Sequence, residues 1–289
     1  MHEYILHNEH IVPAASRVLS PGQVGLLAGW GVFSTIRVAE GILFAWERHY
    51  DRMKHDAALL HVPFPEDASA MRNSLYQLIE ANRASNATLR VVVVRNRGGY
   101  WEGPGLERDY DLIALTTNLK DWGEGARLAV VPQARHTGYT FAGTKSLSWS
   151  MNLCWLESAQ ARGFDEALLL NEKGNVSECT SANIFMVRGG KVITPPLSSG
   201  CLPGVTREIL LTEIHVPGLS IVEEDFRLED LEQAEEVFIT STTRNLLPVY
   251  EIEGIRLRLT GNAHVLLGKA FESYVETYVA AQRSLSSRK

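Results

Sequence analysis

The sequence predicts an α+β chain of two domains, and three observations carry that reading. Apolar runs of strand length are mixed with segments of helical spacing. The strands come in consecutive groups with the helices set apart from them, not in strict alternation. One polar, glycine-containing stretch, "NLKDWGEG", divides the chain near residues 118–124, giving expected domains at 1–119 and 120–289.

Taken in order, "GVFSTIRV" reads as a strand, "AEG" as a turn and "ILFAW" as a second strand. "ERHYDRMKHDAALL" has helical spacing, with Tyr50, Met53, Ala57 and Leu60 on one side. "DASAMRNSLYQLIEANR" is a second helix with Asp67 as its N-cap. The strand "TLRVVVVR", a glycine-rich loop "NRGGYWEGPG" and the strand "DLIALTT" complete the first part. After the divide, "ARLAVVP" is a strand and "SMNLCWLESAQARG" a helix. The short strands "EALLL", "NVSECT", "NIFMV" and "KVITP" follow, with "NEKG" and "RGG" as tight turns. "LPGVTREILLTEI" opens a helix, "EEVFITSTTRNLLPVYEI" reads strand, polar turn, strand, and "NAHVLLGKAFESYVETYVAAQR" is a closing helix.

Composition narrows the function classes. At 289 residues with 45% hydrophobic and 21% charged side chains, the chain can bury a sizeable core. A net charge of −6 without a basic cluster argues against nucleic acid. No apolar run approaches membrane-spanning length, and "MHEYILHNEH" lacks the apolar centre of a secretion signal. Cys154, Cys179 and Cys201 form neither a disulfide framework nor a zinc ribbon, so the cytoplasm is the expected compartment. The nine histidines show no HxxxH or HExxH spacing, and no metal site is expected.

Three features point to chemistry. The stretch "TGYTFAGTKSLSWSMNLCWL" (Thr137–Leu156) carries one formal charge, on Lys145, and the pattern reads as chain running under a surface. The lysine in it, Lys145, differs from the others, which sit in solvated settings such as Lys173, Lys191 and Lys289. It is either a snorkelling side chain or a desolvated amine suited to a Schiff base. In "LPGVTREIL" (Leu202–Leu210), a helix start offers backbone N–H groups and the Thr206 hydroxyl, which suits a phosphate or serves as an ordinary cap. "ITSTTRNLLPV" (Ile239–Val249) sets four hydroxyl residues between two apolar strands, as a second phosphate contact or a polar turn. Glu178, among small and apolar neighbours, calls for a cationic partner. A pyridoxal phosphate cofactor needs a lysine, a phosphate cup and an acid at its ring nitrogen, and the chain offers a residue for each.

At this point the sequence resembles the class IV (fold-type IV) pyridoxal-phosphate enzymes. These comprise branched-chain and D-amino acid aminotransferases, R-selective amine transaminases and aminodeoxychorismate lyases. The resemblance covers nearly the whole chain. It is strongest from "TKSLSW" through "TSANIFMV", at "LPGVTRE" and at "VFITSTTRNLLPV", with echoes in "GWGVFSTIRV" and "ERHYDRM". It implies a small N-terminal α/β domain and a larger C-terminal domain with a barrel-like sheet. The site would lie between them and be completed by a loop from a second subunit, so a homodimer is expected.

The resemblance makes Lys145 the Schiff-base lysine and proton carrier, and Glu178 the acid at the pyridine nitrogen. It gives the phosphate to Arg52, Thr206, Thr242 and the Val205 N–H, and the ring face to Leu202. Thr243 falls where the family contacts the substrate carboxylate.

The subfamily is less defined. Many members carry "GDGVFE"; here "GWGVFS" puts Trp30 for the acid and Ser34, a candidate substrate-pocket residue, for the glutamate. "GVFSTIRV" and "VVVVRNRGG" look more like the lyases, whereas "LPGVTRE" and "TSTTRNLLPV" look closer to the aminotransferases. The favoured activity is transfer of an amino group from an amino acid or primary amine to a 2-oxo acid. The alternative is the lyase, which releases 4-aminobenzoate and pyruvate. Arg95 and Arg97 share a face if their strand continues, and would suit an α-carboxylate or be solvated at a strand end. A non-catalytic phosphate-binding relative is a further alternative, but it would lack the lysine or the acid, and neither is missing. The loop "RGGYWEGPG" has no GxGxxG or GxxxxGK[ST] pattern to make it a nucleotide loop.

Overall fold

A computed structural model describes residues 1–100, 102–104, 106–257 and 260–286. Trp101 and Gly105 of the glycine-rich loop, and the terminal Lys289, lie outside the described residues. The chain folds as two compact units: Met1–Lys120 with Lys145–Trp149 and the chain from Thr277, and Asp121–Thr144 with Ser150–Glu276.

The first unit contains β1 (Tyr4–His7), β2 (His10–Pro13), α1 (Val24–Ala28), β3 (Gly31–Ala39), β4 (Ile42–Leu43), α2 (Trp46–Leu59), α3 (Ala68–Ala81), β5 (Ala87–Arg95) and β6 (Tyr110–Asn118). Its sheet runs β2-β1-β6-β5-β3-β4, with every neighbouring pair antiparallel. Alternation explains β5: Ala87, Leu89, Val91 and Val93 are buried, and the residues between them turn the other way. The buried face of α2, with Tyr50, Met53 and Ala57, joins Leu75 and Leu78 of α3 in the same core. Asp67 caps α3 as expected, its carboxylate accepting the Ser69 and Ala70 N–H groups at 2.9 Å.

The expected strand "ILFAW" is shortened to Ile42–Leu43, because Ala45 takes a left-handed conformation (φ 53°) that turns the chain into α2. The β1–β2 hairpin and α1 were not foreseen. The hairpin turns on Asn8 at φ 56°, whose side chain accepts the Leu112 N–H at 3.0 Å.

Lys145–Leu147 add a short bridge to the start of β3. Phe33 N–H donates to the Lys145 carbonyl at 3.0 Å, and Leu147 N–H donates to the Gly31 carbonyl at 2.9 Å. Gly31 allows this approach, since a Cβ there would come to 2.5 Å from both Leu147 Cδ1 and the Val93 carbonyl.

The second unit contains β7 (Ala126–Arg135), α4 (Ser150–Ala161), β8 (Glu166–Asn171), β9 (Val176–Cys179), β10 (Asn183–Arg188), β11 (Lys191–Thr194), α5 (Val205–Thr212), β12 (Ser220–Glu223), β13 (Glu236–Ser241) and β14 (Asn245–Ile252). The last helix, α6 (Ala263–Ser286), begins in this unit. The sheet runs β12-β11-β10-β13-β14-β7-β8-β9 and curls into a half-barrel. Three of its pairs are parallel: β11 with β12, β14 with β7, and β7 with β8. β8 is buried along its whole length, with the apolar run Ala167–Leu170 between the buried polar residues Glu166 and Asn171. One face holds Leu168, Ile184, Met186, Ile239 and Val249, with Phe226 and Leu231 beside them. The other packs Ala129, Ala167 and Leu169 against Ala159 of α4. The sequence did not announce β12, whose four residues lack an apolar run.

Gly31→Ala is expected to lower unfolding stability by about 1–3 kcal/mol, the cost of overpacking. Urea titration measures it, and an unchanged midpoint with unchanged slope would remove the close-approach account.

Candidate active site

Lys145 is held by its backbone on two sides: its carbonyl is bound by β3, and its N–H donates to the Asp56 carboxylate at 3.0 Å. Its ammonium lies 4.6 Å from the centre of the Phe33 ring, and the Arg90 guanidinium carbon lies 3.9 Å from the same centre. One expectation fails. None of the residues from Thr137 to Leu156 is buried in the single chain, and Lys145 is half-buried. Tyr139, Met151 and Leu153 are each more than half exposed, because the chain's own elements supply no cover over them.

Asp56 and His49 are functional candidates that sequence reasoning missed. Both lie on the buried stripe of α2 with Tyr50, Met53 and Ala57, at 0% and 2% exposure for His49 and Asp56. Charged or titratable residues at helical spacing on an apolar stripe were the available signal. Burial raises the Asp56 carboxyl above its ordinary value, partly offset by the Lys145 N–H and the nearby Arg52 charge. Burial lowers His49 well below its ordinary value, and the Arg52 and Lys145 charges push the same way. Arg52 and Ser34 are brought together: Arg52 Nη2 donates to Ser34 Oγ at 2.9 Å, and Ser34 Oγ lies 2.8 Å from His49 Nδ1. Ser34 is fully buried on the face of β3 shared with Val32 and Ile36.

In the second unit Glu178 has the cationic partner its setting calls for. Arg135 Nε donates to one carboxylate oxygen at 2.8 Å, and the Leu202 N–H to the other at 3.0 Å. Arg135 also reaches Asn152, whose amide donates to the Thr180 carbonyl at 2.7 Å. The turn before α5 is shaped by Asn183, which donates to the Leu202 carbonyl at 2.9 Å. Asn183 Oδ1 fills the space a Cβ on Gly204 would need. Val205 and Thr206 then begin the helix, where the first N–H groups have no partner within it. The Thr206 and Thr240 hydroxyls are buried without a hydrogen-bond partner. Thr242 and Thr243 form the turn between β13 and β14. That turn is tied down by Arg244, which donates to the Ser181 carbonyl and to Glu166, each at 3.0 Å.

Arg95 and Arg97 have partners within the first unit. β5 ends at Arg95, so the face-sharing argument does not reach Arg97. Arg95 donates to the carbonyls of Arg97 and His61 at 2.7 and 2.6 Å and lies 4.0 Å from the Trp30 ring centre. Arg97 donates to the Leu106 carbonyl at 3.0 Å and pairs with Asp109. Arg97 braces the loop after β5, and Arg95 ties that loop to His61 and Trp30.

Comparison with known proteins agrees with this chemistry. The family model described as amino-transferase class IV matches residues 31–252. A Methanocaldococcus jannaschii protein, provisionally named a branched-chain-amino-acid aminotransferase, is 32% identical over 233 residues, 80% of this chain and 81% of its own. A D-alanine aminotransferase of Listeria monocytogenes is 26% identical over 288 residues, 96% of each chain. Among solved structures, the T.th. branched-chain amino acid aminotransferase complexed with N-(5'-phosphopyridoxyl)-L-glutamate has a TM-score of 0.86 at 23% identity, covering 96% of this chain and 95% of its own. A provisionally named 4-amino-4-deoxychorismate lyase from Legionella pneumophila has a TM-score of 0.82 at 23% identity, covering 90% and 96%. At those identities the two structures speak for the fold alone. The chain belongs to the class IV aminotransferase family. It is therefore a pyridoxal-phosphate-dependent transaminase, acting between amino acids and 2-oxo acids.

The residues present fit that cofactor. A phosphate calls for donors, and the Thr206 and Thr240 hydroxyls are buried donors without partners. A ring nitrogen kept protonated calls for a carboxylate. Glu178 is one, and two accepted bonds do not exhaust its roughly four lone-pair directions. Among the described residues no helix is long and apolar enough to cross a membrane, and no His, Cys, Asp and Glu cluster could hold a metal ion.

A pH dependence of stability follows from His49. The folded chain keeps this imidazole neutral, whereas the unfolded chain binds a proton near the ordinary value of 6.5. Below that pH the unfolded state carries the extra proton, so stability present at neutral pH is lost on acidification. Asp56 acts with the opposite sign at lower pH, because its folded form holds its proton more tightly than the unfolded one. Thermal unfolding midpoints are expected to fall less between about pH 7 and 5.5 in His49→Gln than in the parent. Equal falls in the two proteins would discount His49 as the cause.

Proposed function

We propose that Lys145 is the catalytic residue of this transaminase. The observation that carries the reading is the lysine's fixed backbone, bound by β3 and by Asp56 in a residue that is itself half-buried. When bound, pyridoxal phosphate supplies an aldehyde that joins amines and a ring that draws electrons from the bonds at the substrate Cα. Lys145 would hold the cofactor by its amine and would carry the proton between the substrate Cα and the cofactor C4′. Glu178 would face the ring nitrogen of the cofactor, and Arg135 fixes the orientation of its carboxylate. Arg52, the Val205 N–H, and the Thr206 and Thr242 hydroxyls bind the phosphate, and Leu202 packs on the ring face. Thr243 offers its main chain to the substrate carboxylate.

The amino donor is proposed to be an amino acid of the kind named for the relatives, a branched-chain L-amino acid or D-alanine. Arg95 and Arg97 remain candidates for carboxylate binding, though Arg95 already donates to the Arg97 and His61 carbonyls and Arg97 to the Leu106 carbonyl. The polypeptide is proposed to divide at 119/120 into a small and a larger domain, supported by the irregular stretch from Leu119 to Gly125. A cytoplasmic homodimer completes the reading. The three free cysteines suit that compartment, and the uncovered Met151, Leu153 and Tyr139 suit a second copy as their cover.

Four outcomes test these statements. Lys145→Ala is expected to lose transamination by at least about 10³-fold, while far-ultraviolet circular dichroism stays native; retained turnover would overturn the assignment. The holoenzyme mixed with branched-chain L-amino acids or D-alanine is expected to convert its cofactor to the pyridoxamine form. Pyruvate released from aminodeoxychorismate without a 2-oxo acid would instead indicate the lyase. Arg97→Ala, read by KM for the 2-oxo acid, decides that residue: an unchanged value assigns it to its loop. Leu153→Asp is expected to shift the mass by light scattering from dimer to monomer, and an unshifted dimer would place the interface elsewhere.

A further inference from the structure

The buried cluster of Ser34, His49 and Arg52 has an ordered hydrogen-bond direction. An arginine can only donate, so Ser34 Oγ accepts from Arg52 Nη2 at 2.9 Å. Ser34 is 0% exposed, so the hydroxyl hydrogen needs a protein acceptor, and His49 Nδ1 lies 2.8 Å away. The imidazole is then neutral, with Nδ1 accepting and its own hydrogen on Nε2. Nε2 is buried and has no hydrogen-bond partner. A histidine held at 0% exposure with one nitrogen unsatisfied is costly, which a purely space-filling role does not account for.

We propose that Ser34 and His49 are positioning residues that set the plane of the Arg52 guanidinium, and so tune the enzyme's preference for a phosphorylated over an unphosphorylated cofactor. The inference rests on the assignment of Arg52 to the phosphate. The five donors of a guanidinium lie in one plane, so fixing one of them fixes the directions of the others. Ser34 fixes that one. His49 fixes Ser34, because a hydroxyl that must donate to Nδ1 presents its lone pairs in a set direction. This role differs from substrate contact, for which the full burial of Ser34 leaves no room.

The test compares two probes, pyridoxal 5′-phosphate and pyridoxal, bound to the full-length apo-protein and followed by absorbance and fluorescence titration. Loss of one oriented, charge-assisted contact is expected to weaken the phosphate form about tenfold. Ser34→Ala should raise the Kd for the phosphate form by that factor while leaving the Kd for pyridoxal within about twofold. His49→Phe should move the same ratio in the same direction, and Ser34→Thr, which keeps the hydroxyl, should restore it. The unchanged pyridoxal Kd guards against a folding defect, since a misfolded variant would lose both probes. Arg52→Gln separates the two levels of the argument. If it leaves the ratio unchanged, the phosphate assignment fails and the inference falls with it. If it collapses the ratio but Ser34→Ala and His49→Phe leave it at the parent value, the assignment stands and the positioning role is refuted. An equal loss of both probes in Ser34→Ala, with an unchanged ratio, also refutes it.

Discussion

The interaction on which the rest of the site depends is the short antiparallel clip between β3 and Lys145–Leu147. Two backbone hydrogen bonds, Phe33 to Lys145 and Leu147 to Gly31, fix the chain at the lysine. Gly31 makes the approach possible, and Asp56 adds a third restraint through the Lys145 N–H. A lysine side chain has high rotamer freedom, so a catalytic amine gains most when the backbone beneath it contributes none. These restraints all fall on the main chain, so the proposed role of the Lys145 amine would rest on a fixed base. The clip also explains why Lys145–Trp149 group with the first unit, although residues on either side group with the second.

The second unit meets the same problem with side chains. Glu178 is 7% exposed, and a carboxylate in that setting is costly without partners. Arg135 and the Leu202 N–H answer that cost, and the second bond also holds the turn that leads into α5. A comparable pair, Arg244 with Glu166, ties the Thr242–Thr243 turn to the strand below it, and Arg244 lies over the Trp122 ring at 3.7 Å. Glu178 and the Thr242–Thr243 turn are thus each backed by an arginine–carboxylate pair, which holds them in place without a ligand.

Much of this was legible in the sequence, for identifiable reasons. Alternation in "ATLRVVVVR", the stripe of α2 and the cap at Asp67 are local, and local patterns survive folding. Lys145 and Glu178 stand out as unusual for their surroundings, whereas Thr206 and Thr242 lie in segments that also read as an ordinary cap and turn and take their roles from the family resemblance. The partners do not stand out. Asp56 is 89 residues from Lys145, Arg135 is 43 from Glu178, and Asn183 is 19 from Leu202. Such pairings are made by strand order and register, which no local window contains. The burial expected for Thr137–Leu156 failed for a related reason: apolar composition marks a segment that needs cover, but does not say whether its own chain provides it.

Ser34 shows how one neutral substitution changes the electrostatics of such a cluster. Many members of the family are expected to carry a glutamate where this chain has Ser34. A buried carboxylate within hydrogen-bond reach of Arg52 would form an ion pair with it, and much of the guanidinium's positive charge would be balanced inside the protein. A serine orients the guanidinium through one hydrogen bond without balancing its charge. His49 keeps the arrangement neutral, since burial and the Arg52 and Lys145 charges all disfavour its protonation. Ser34 and His49 thus add no charge of their own to the cluster, and the carboxyl that feels the Arg52 charge is Asp56, whose burial disfavours its ionised form.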